Sequence, residues 1–333
     1  MASALSRLAF ERPIVELEES IKELESRRDD RAEAREQVRK LRRELADLRK
    51  NIYNDLSPWQ TVQVARHPDR PMLTDYINLL FDEFVELHGD RFFGDDRAIR
   101  AGFAKLDQFK VLLVGHYKGK TLEERQQCYF GCAHPEGYRK ALGKMKLAAK
   151  YGLPVICMID TPGAYPGVGA EERGQAQVIA ENMFEMSRLK TPIICVVIGE
   201  GGSGGALGIG VGDRVGILQH AYYSVISPEG CAGILWKSGE YAEQAAEALK
   251  LSSRYLADLG AVDDVIEEPV GGAHLDHHQM TSRLKIYLVK TLQKLVKVPM
   301  DELLEARYAK FRSLGVFFED EHEVSESSQS VSP

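Results

Sequence analysis

Two stretches decide how this chain folds: residues 153–169, LPVICMIDTPGAYPGVG, and residues 191–205, TPIICVVIGEGGSGG. In each, one residue and a proline lead into an apolar run. The first run, 155–159, is followed by Asp160 and the turn TPGAYPGVG, and the second, 193–198, by the turn GEGGSGG. Short apolar runs without polar alternation read as strands buried on both faces, the condition of a parallel sheet. The pattern predicts a helix after each turn, over 170–189 and from 205 onward. Strand, turn and helix repeated in this order indicate an α/β fold. Further strands are predicted at 110–116 (KVLLVGH), 214–218 and 223–226.

The segments outside these units are helical by periodicity. Tyr76, Leu79, Leu80, Phe84 and Leu87 share one face of a predicted helix over 75–87. Others are predicted over 137–151, 240–259 and 275–313, the last interrupted at Pro299. Residues 13–55 differ in kind. Ile14, Leu17, Ile21 and Leu24, then Val38, Leu41, Leu45, Leu48 and Ile52, form two heptad-like stripes on charged helices, separated by the charged break at 27–30. They predict an antiparallel helical hairpin acting as an assembly arm. The expected division is 1–56 for this arm, 57–317 for the main domain, and 318–333 for an acidic, Ser-rich tail with too little apolar surface to order itself.

Composition narrows the function. The 333 residues carry a net charge of −7, which argues against nucleic-acid or anionic-membrane surfaces, since both call for clustered Lys and Arg. No segment has the roughly 18–20 uninterrupted apolar residues of a membrane span, and the first residues do not read as a signal peptide. The five cysteines (128, 132, 157, 195 and 231) are expected as free thiols in a reducing cytoplasm. Cys128 and Cys132 lie near His134, but the second ligand pair of a structural zinc site is missing, so no metal is expected.

The turn at 199–205 fits two motifs at once. Gly199, Gly201 and Gly204 give G-x-G-x-x-G, but the acidic ribose ligand expected about 20 residues on is replaced by Gln219-His220-Ala221. Gly201, Ser203 and Gly205 give G-x-S-x-G, the elbow of serine hydrolases, and His220, His274, His277 and His278 are available downstream. A serine hydrolase using Ser203 is therefore an open alternative. Common to every reading is a backbone freed of side chains, whose N–H groups can point into an open site and hold an oxyanion. A helix starting at Gly204 or Gly205 would add its dipole. The turn 161–169 offers a similar surface.

Longer motifs carry a family resemblance. FERPIVELE (10–18), VARHPDRP (64–71), PEGYRKAL (135–142), IDTPGAYPGVGAEERGQ (159–175), EMSRL (185–189), VIGEGGSGGALGIGVGD (197–213) and YSVISPEGCAGILWK (223–237) resemble the carboxyltransferase α subunits of bacterial multi-subunit acetyl-CoA carboxylases. The likeness runs from about Phe10 to about Tyr308 and leaves out the acidic tail. It implies a crotonase-like spiral of ββα units. It also implies transfer of a carboxyl group from carboxybiotin, on a biotin carboxyl carrier protein, to acetyl-CoA, giving malonyl-CoA for fatty acid synthesis. The base would be the decarboxylated biotin itself. The family assembles as α2β2, with zinc held by the β subunit and ATP used by a separate biotin carboxylase. By the same resemblance, the N–H groups of Gly204 and Gly205 hold the ureido oxygen of biotin. Gly163, Ala164, Tyr165, Gly201, Gly202, Ser227 and Gly230 are the residues expected to line its pocket. This chain alone is expected to bind no cofactor and to be inactive without the β subunit.

Overall fold

A computed structural model describes residues 8–26 and 32–315; the charged break at 27–30 and the acidic tail fall outside the described residues. The eight strands among them are β1 (Glu83–Glu86), β2 (Ile99–Leu106), β3 (Phe109–His116), β4 (Val155–Thr161), β5 (Ile193–Gly202), β6 (Arg214–Leu218), β7 (Tyr222–Ser224) and β8 (Asp264–Ile266). They form one sheet in the order β1-β2-β3-β4-β5-β6-β8, with β7 pairing the end of β5. β1 to β3 are antiparallel, and from β3 onward every pairing is parallel. Every residue of β4 and β5 is buried, as their unbroken apolar runs require.

The second half of each repeat unit is a short further ladder. β4 pairs β5 from Val155↔Ile193 to Ile159↔Val197, then the register shifts and Thr161 faces Gly201. β5 likewise pairs β6 as far as Val197↔Ile217 and then turns to β7, where Gly201 faces Tyr223. Thr161, Gly201 and Tyr223 thus form a second ladder beyond the main sheet, and a helix or turn leaves from each. This winding stacks the two glycine turns side by side.

Several expectations need correction. The helix predicted over 75–87 ends early: Leu73–Leu80 is helical, Phe81 is extended (φ −104°, ψ 140°), and 83–86 become β1. Pairing decides this, because Phe84 packs where a Cβ on Gly102 of β2 would lie 2.7 Å from its ring. The helix predicted over 170–189 is two, Val168–Glu172 and Gln175–Ser187, broken at Gly174 with φ 81°. After the second turn the helix is only Ser203–Leu207. The region 240–259 holds separate helices Ala242–Leu249 and Ser253–Asp258. The helices His277–Leu295 and Met300–Arg312 flank Pro299 as expected.

Arg12–Ser26 and Ala32–Asn54 form the helical hairpin. Its antiparallel register shows in the ion pairs Glu18–Arg49 and Glu25–Arg42, which run in opposite directions along the two helices. Exposed pairs of this kind contribute at most about 1 kcal/mol. The base is held by packing instead: Ile14 and Tyr53 are buried against Val64, with Leu45, Leu48 and Ile52 around them. At the other end of the chain, buried Arg307 pairs with Asp213 at 2.7 Å and donates to the carbonyls of Met186, Leu189 and Thr191, pinning the last helix beside the start of β5.

Candidate functional site

The two glycine turns touch backbone to backbone. A Cβ placed on Gly205 would lie 2.5 Å from the carbonyl carbon of Gly163 and 2.6 Å from the nitrogen of Ala164. One placed on Gly202 would lie 2.2 Å from the carbonyl oxygen of Pro162. Only glycine fits at these two positions, because the obstacles are main-chain atoms rather than side chains that could swing away. Gly204 differs: the nearest atom to its Cβ would be Ile179 Cδ1 at 3.6 Å, an ordinary contact. The N–H groups of the first helical turn have no intrahelical acceptor. The Ser203–Leu207 helix has five residues, so local N–H groups rather than a long helix dipole supply the positive potential here.

The expected site residues divide by place. Gly163, Ala164, Gly202 and Gly205 meet at this contact, and Gly201 lies in the same ladder with Tyr223 against it. Tyr165 stands at the rim, its ring 4.1 Å from that of His134 and 5.1 Å from that of Tyr129. Ser227 and Gly230 are brought to each other: the Ser227 hydroxyl accepts from Gly230 N–H at 3.1 Å and caps the helix Pro228–Trp236. Ser203 is exposed with φ 49°, and among the described residues no hydrogen bond joins it to a histidine. His220 and His274 instead gather with Tyr53 at the base of the hairpin, ring centroids 5.6 and 6.3 Å away. The arrangement around Ser203 thus offers it no histidine partner among the described residues, and the hydrolase alternative is not favoured.

Beneath the turns lies a buried charge network that the motifs did not single out. Lys118, just past β3, contacts Asp160 at 2.7 Å and also pairs with Glu200, the carboxylates of β4 and β5 next to the turns. Asp160 also accepts from Glu200 N–H at 2.9 Å, tying the strands together. Arg66 joins Glu200 at 2.6 Å and Glu229 at 2.5 Å, and Tyr222 donates to Glu200 at 2.7 Å. Burial alone would raise the Glu200 pKa, but the Lys118 ammonium and the Arg66 guanidinium overcome it and hold it at about 2. His116, at the end of β3, is pushed down to about 3 by burial and by Lys118, against a weaker pull from the Gly205 backbone, so its ring is neutral. Tyr138 donates to the Gly205 carbonyl at 3.3 Å.

The available signal for this network was a charged residue ending each apolar strand, at 118, 160 and 200. Cys128, beside the left-handed turn 129–131, is buried and points to the Arg97 carbonyl at 3.6 Å. Among the described residues no three His, Cys, Asp or Glu side chains gather as a metal site, and no helix is long and apolar enough to cross a membrane.

Comparison with known proteins supplies the family. The model of a family described as acetyl co-enzyme A carboxylase carboxyltransferase-like matches residues 7–315. The acetyl-coenzyme A carboxylase carboxyl transferase subunit alpha of Rhodopirellula baltica is 67% identical over 313 residues, covering 94% of this chain and 98% of that one. The protein of the same description from Methylococcus capsulatus is 53% identical, covering 95% and 98%. Among solved structures, the transcarboxylase 12S core aligns at 21% identity with a TM-score of 0.53, over 71% of this chain and 46% of that one. The β subunit of geranyl-CoA carboxylase from P. aeruginosa aligns at 15% identity and 0.54, over 74% and 46%. A Pseudomonas malonate decarboxylase hetero-dimer aligns at 18% identity and 0.53, over 66% of this chain and 89% of that one. At such identities the likeness is one of fold, and the fold is the crotonase-like one.

Proposed function

This chain belongs to the family of acetyl-CoA carboxylase carboxyltransferase α subunits, and from that premise we propose how its residues perform the transfer. The activity is biotin-dependent carboxyl transfer to acetyl-CoA, forming malonyl-CoA for fatty acid synthesis, with a β subunit as partner. Carboxybiotin, delivered on a carrier protein, supplies the carboxyl group. As that group leaves, negative charge grows on the ureido oxygen. The N–H groups of Gly204 and Gly205 receive it, and Gly163, Ala164, Tyr165, Gly201 and Gly202 form the surrounding wall.

The observation that carries this reading is the contact of Gly205 with the Gly163–Ala164 peptide. A donor wedged between two backbones is preorganised and pays no reorganisation when charge develops. The Tyr138 hydroxyl donates to the Gly205 carbonyl and so holds the next peptide of the same turn. Lys118 ties the two carboxylates that precede the turns, so the turns keep their spacing. Ser227 and Gly230 complete the pocket from the segment after β7, where the Ser227 hydroxyl accepts from Gly230 N–H and caps the following helix.

Family membership supports a wider assembly of the following kind: an α2β2 arrangement in the cytoplasm, with zinc confined to the β subunit, a biotin carboxyl carrier protein delivering the substrate, and a separate biotin carboxylase consuming ATP. The hairpin serves as an assembly arm, 1–56, beside a catalytic domain, 57–317. The test is reconstitution. The chain with its β partner, carboxybiotin and acetyl-CoA is expected to yield malonyl-CoA, and the chain alone none. No product from the complete mixture would overturn the reading.

A further inference from the structure

The helix that leaves the second glycine turn, Ser203–Leu207, has only five residues. A helix that short does not hold its own shape, so its peptides must be fixed from outside. The peptide that matters joins Gly204 to Gly205, because its N–H end is a donor assigned to the oxyanion. Its other end is held: the Gly204 carbonyl accepts from Gly208 N–H at 2.9 Å. Accepting that bond polarises the peptide and strengthens its N–H as a donor. The direction of the Gly205 N–H therefore depends on where Gly208 sits.

Two buried side chains hold Gly208 in place. Asn182, 1% exposed on the helix Gln175–Ser187, donates from Nδ2 to the Gly208 carbonyl at 2.9 Å and to the Tyr138 carbonyl at 3.0 Å. Tyr138, buried on the helix Pro135–Lys150, lays its ring against Gly208, where a Cβ would come within 2.6 Å of ring carbons Cδ1 and Cε1. Its hydroxyl donates to the Gly205 carbonyl at 3.3 Å. That carbonyl has lost its helical donor, since the Ile209 N–H turns to Ala206 at 3.3 Å. An apolar residue would fill so enclosed a position as Asn182 with less desolvation, so the amide is there for its two donors.

We propose that Tyr138 and Asn182 are positioning residues for the transfer: from two different helices they clasp the five-residue helix at Gly205 and Gly208 and so fix the direction of the Gly205 N–H. This rests on the carboxyltransferase reading above, in which that N–H receives the developing charge. Both side chains are enclosed and act through the backbone they hold, not on substrate. A donor that drifts from its line is weakened most where charge is greatest, in the transition state, so the effect belongs in kcat.

The test measures kcat and KM for malonyl-CoA formation by the full chain with its β partner, carboxybiotin and acetyl-CoA. Tyr138→Phe keeps the ring on Gly208 and removes one hydroxyl. It is expected to lower kcat about three- to tenfold and to leave KM for acetyl-CoA unchanged. Asn182→Leu removes both amide donors and is expected to lower kcat about tenfold or more; where that variant does not assemble, Tyr138→Phe decides alone. A cycle with Gly205→Ala separates positioning from a merely structural role. Once the methyl has displaced the donor, Tyr138→Phe is expected to cost less than about twofold further in kcat, whereas independent effects would multiply. An unchanged kcat in Tyr138→Phe, even with a lowered melting temperature, would overturn the proposal. So would the full further loss in the Gly205→Ala background, or a raised KM for acetyl-CoA with kcat kept. A Gly205→Ala complex as active as the wild type would overturn the underlying oxyanion reading as well.

Discussion

Alanine at Gly205 and at Gly204 should behave very differently, although the two glycines are adjacent. A Cβ on Gly205 falls 2.5 Å from Gly163 C and 2.6 Å from Ala164 N. Carbon atoms in contact prefer about 3.5–4.0 Å, so the two turns must separate by roughly 1 Å. A hydrogen bond stretched by about 1 Å leaves the useful range, and the donor is lost to the transition state. Losing one oxyanion donor costs about 2.7–4 kcal/mol of barrier, which is about a hundred- to a thousandfold in kcat. Overpacking should also cost about 1–3 kcal/mol of stability. At Gly204 the methyl would meet only Ile179 Cδ1 at 3.6 Å, so the peptide keeps its place. Gly204→Ala should therefore lose less than about tenfold in kcat, within the approximate margin of one hydrogen bond's geometry. The assay is malonyl-CoA formation by the complex reconstituted with the β subunit. Equal losses at the two positions, or the larger loss at Gly204, would refute the reasoning.

Three further outcomes follow from the same geometry. Lys118→Met leaves Asp160 and Glu200 buried without the cation between them, and should lower unfolding stability by about 3–5 kcal/mol in urea titration; a loss near zero would show that the network does not hold the strands. Glu200 and Glu268 are both held at about 2, against an unfolded value near 4.3. Their depressed pKa values contribute stability that is complete above about pH 5 and is lost as pH falls towards 2. The urea midpoint should drop across that window, and Glu268→Gln, which breaks the Arg70 pair, should flatten the drop. Ser203→Ala should retain most activity in the reconstituted assay, because among the described residues no histidine is hydrogen-bonded to the exposed Ser203; a dead variant would revive the serine-hydrolase alternative.

The elements legible in the sequence are those whose signal is local. β4, β5 and β6 announce themselves as apolar runs because both faces are covered. β1 and β2 do not. Glu83, Glu86, Arg100 and Lys105 interrupt any run, and only pairing between Glu83–Glu86 and Ile99–Leu106 makes strands of them. The glycine turns were legible for a related reason, since missing side chains are visible in the sequence itself. The network beneath them was not, because Arg66, Lys118, Asp160 and Glu200 come from four distant segments and meet only after the sheet forms. The left-handed turn at Tyr129 and Phe130 runs against local preference, and Gly131 was its one outward sign.

The most direct measurement replaces the peptide N–H of Gly205 by an ester oxygen, with glycolic acid at that position, so that shape is kept and one donor is removed. Assayed with the β subunit, carboxybiotin and acetyl-CoA, this chain is expected to lose about a hundredfold or more in kcat with KM for acetyl-CoA unchanged. A kcat equal to that of the unmodified complex would contradict the assignment of the oxyanion to this backbone.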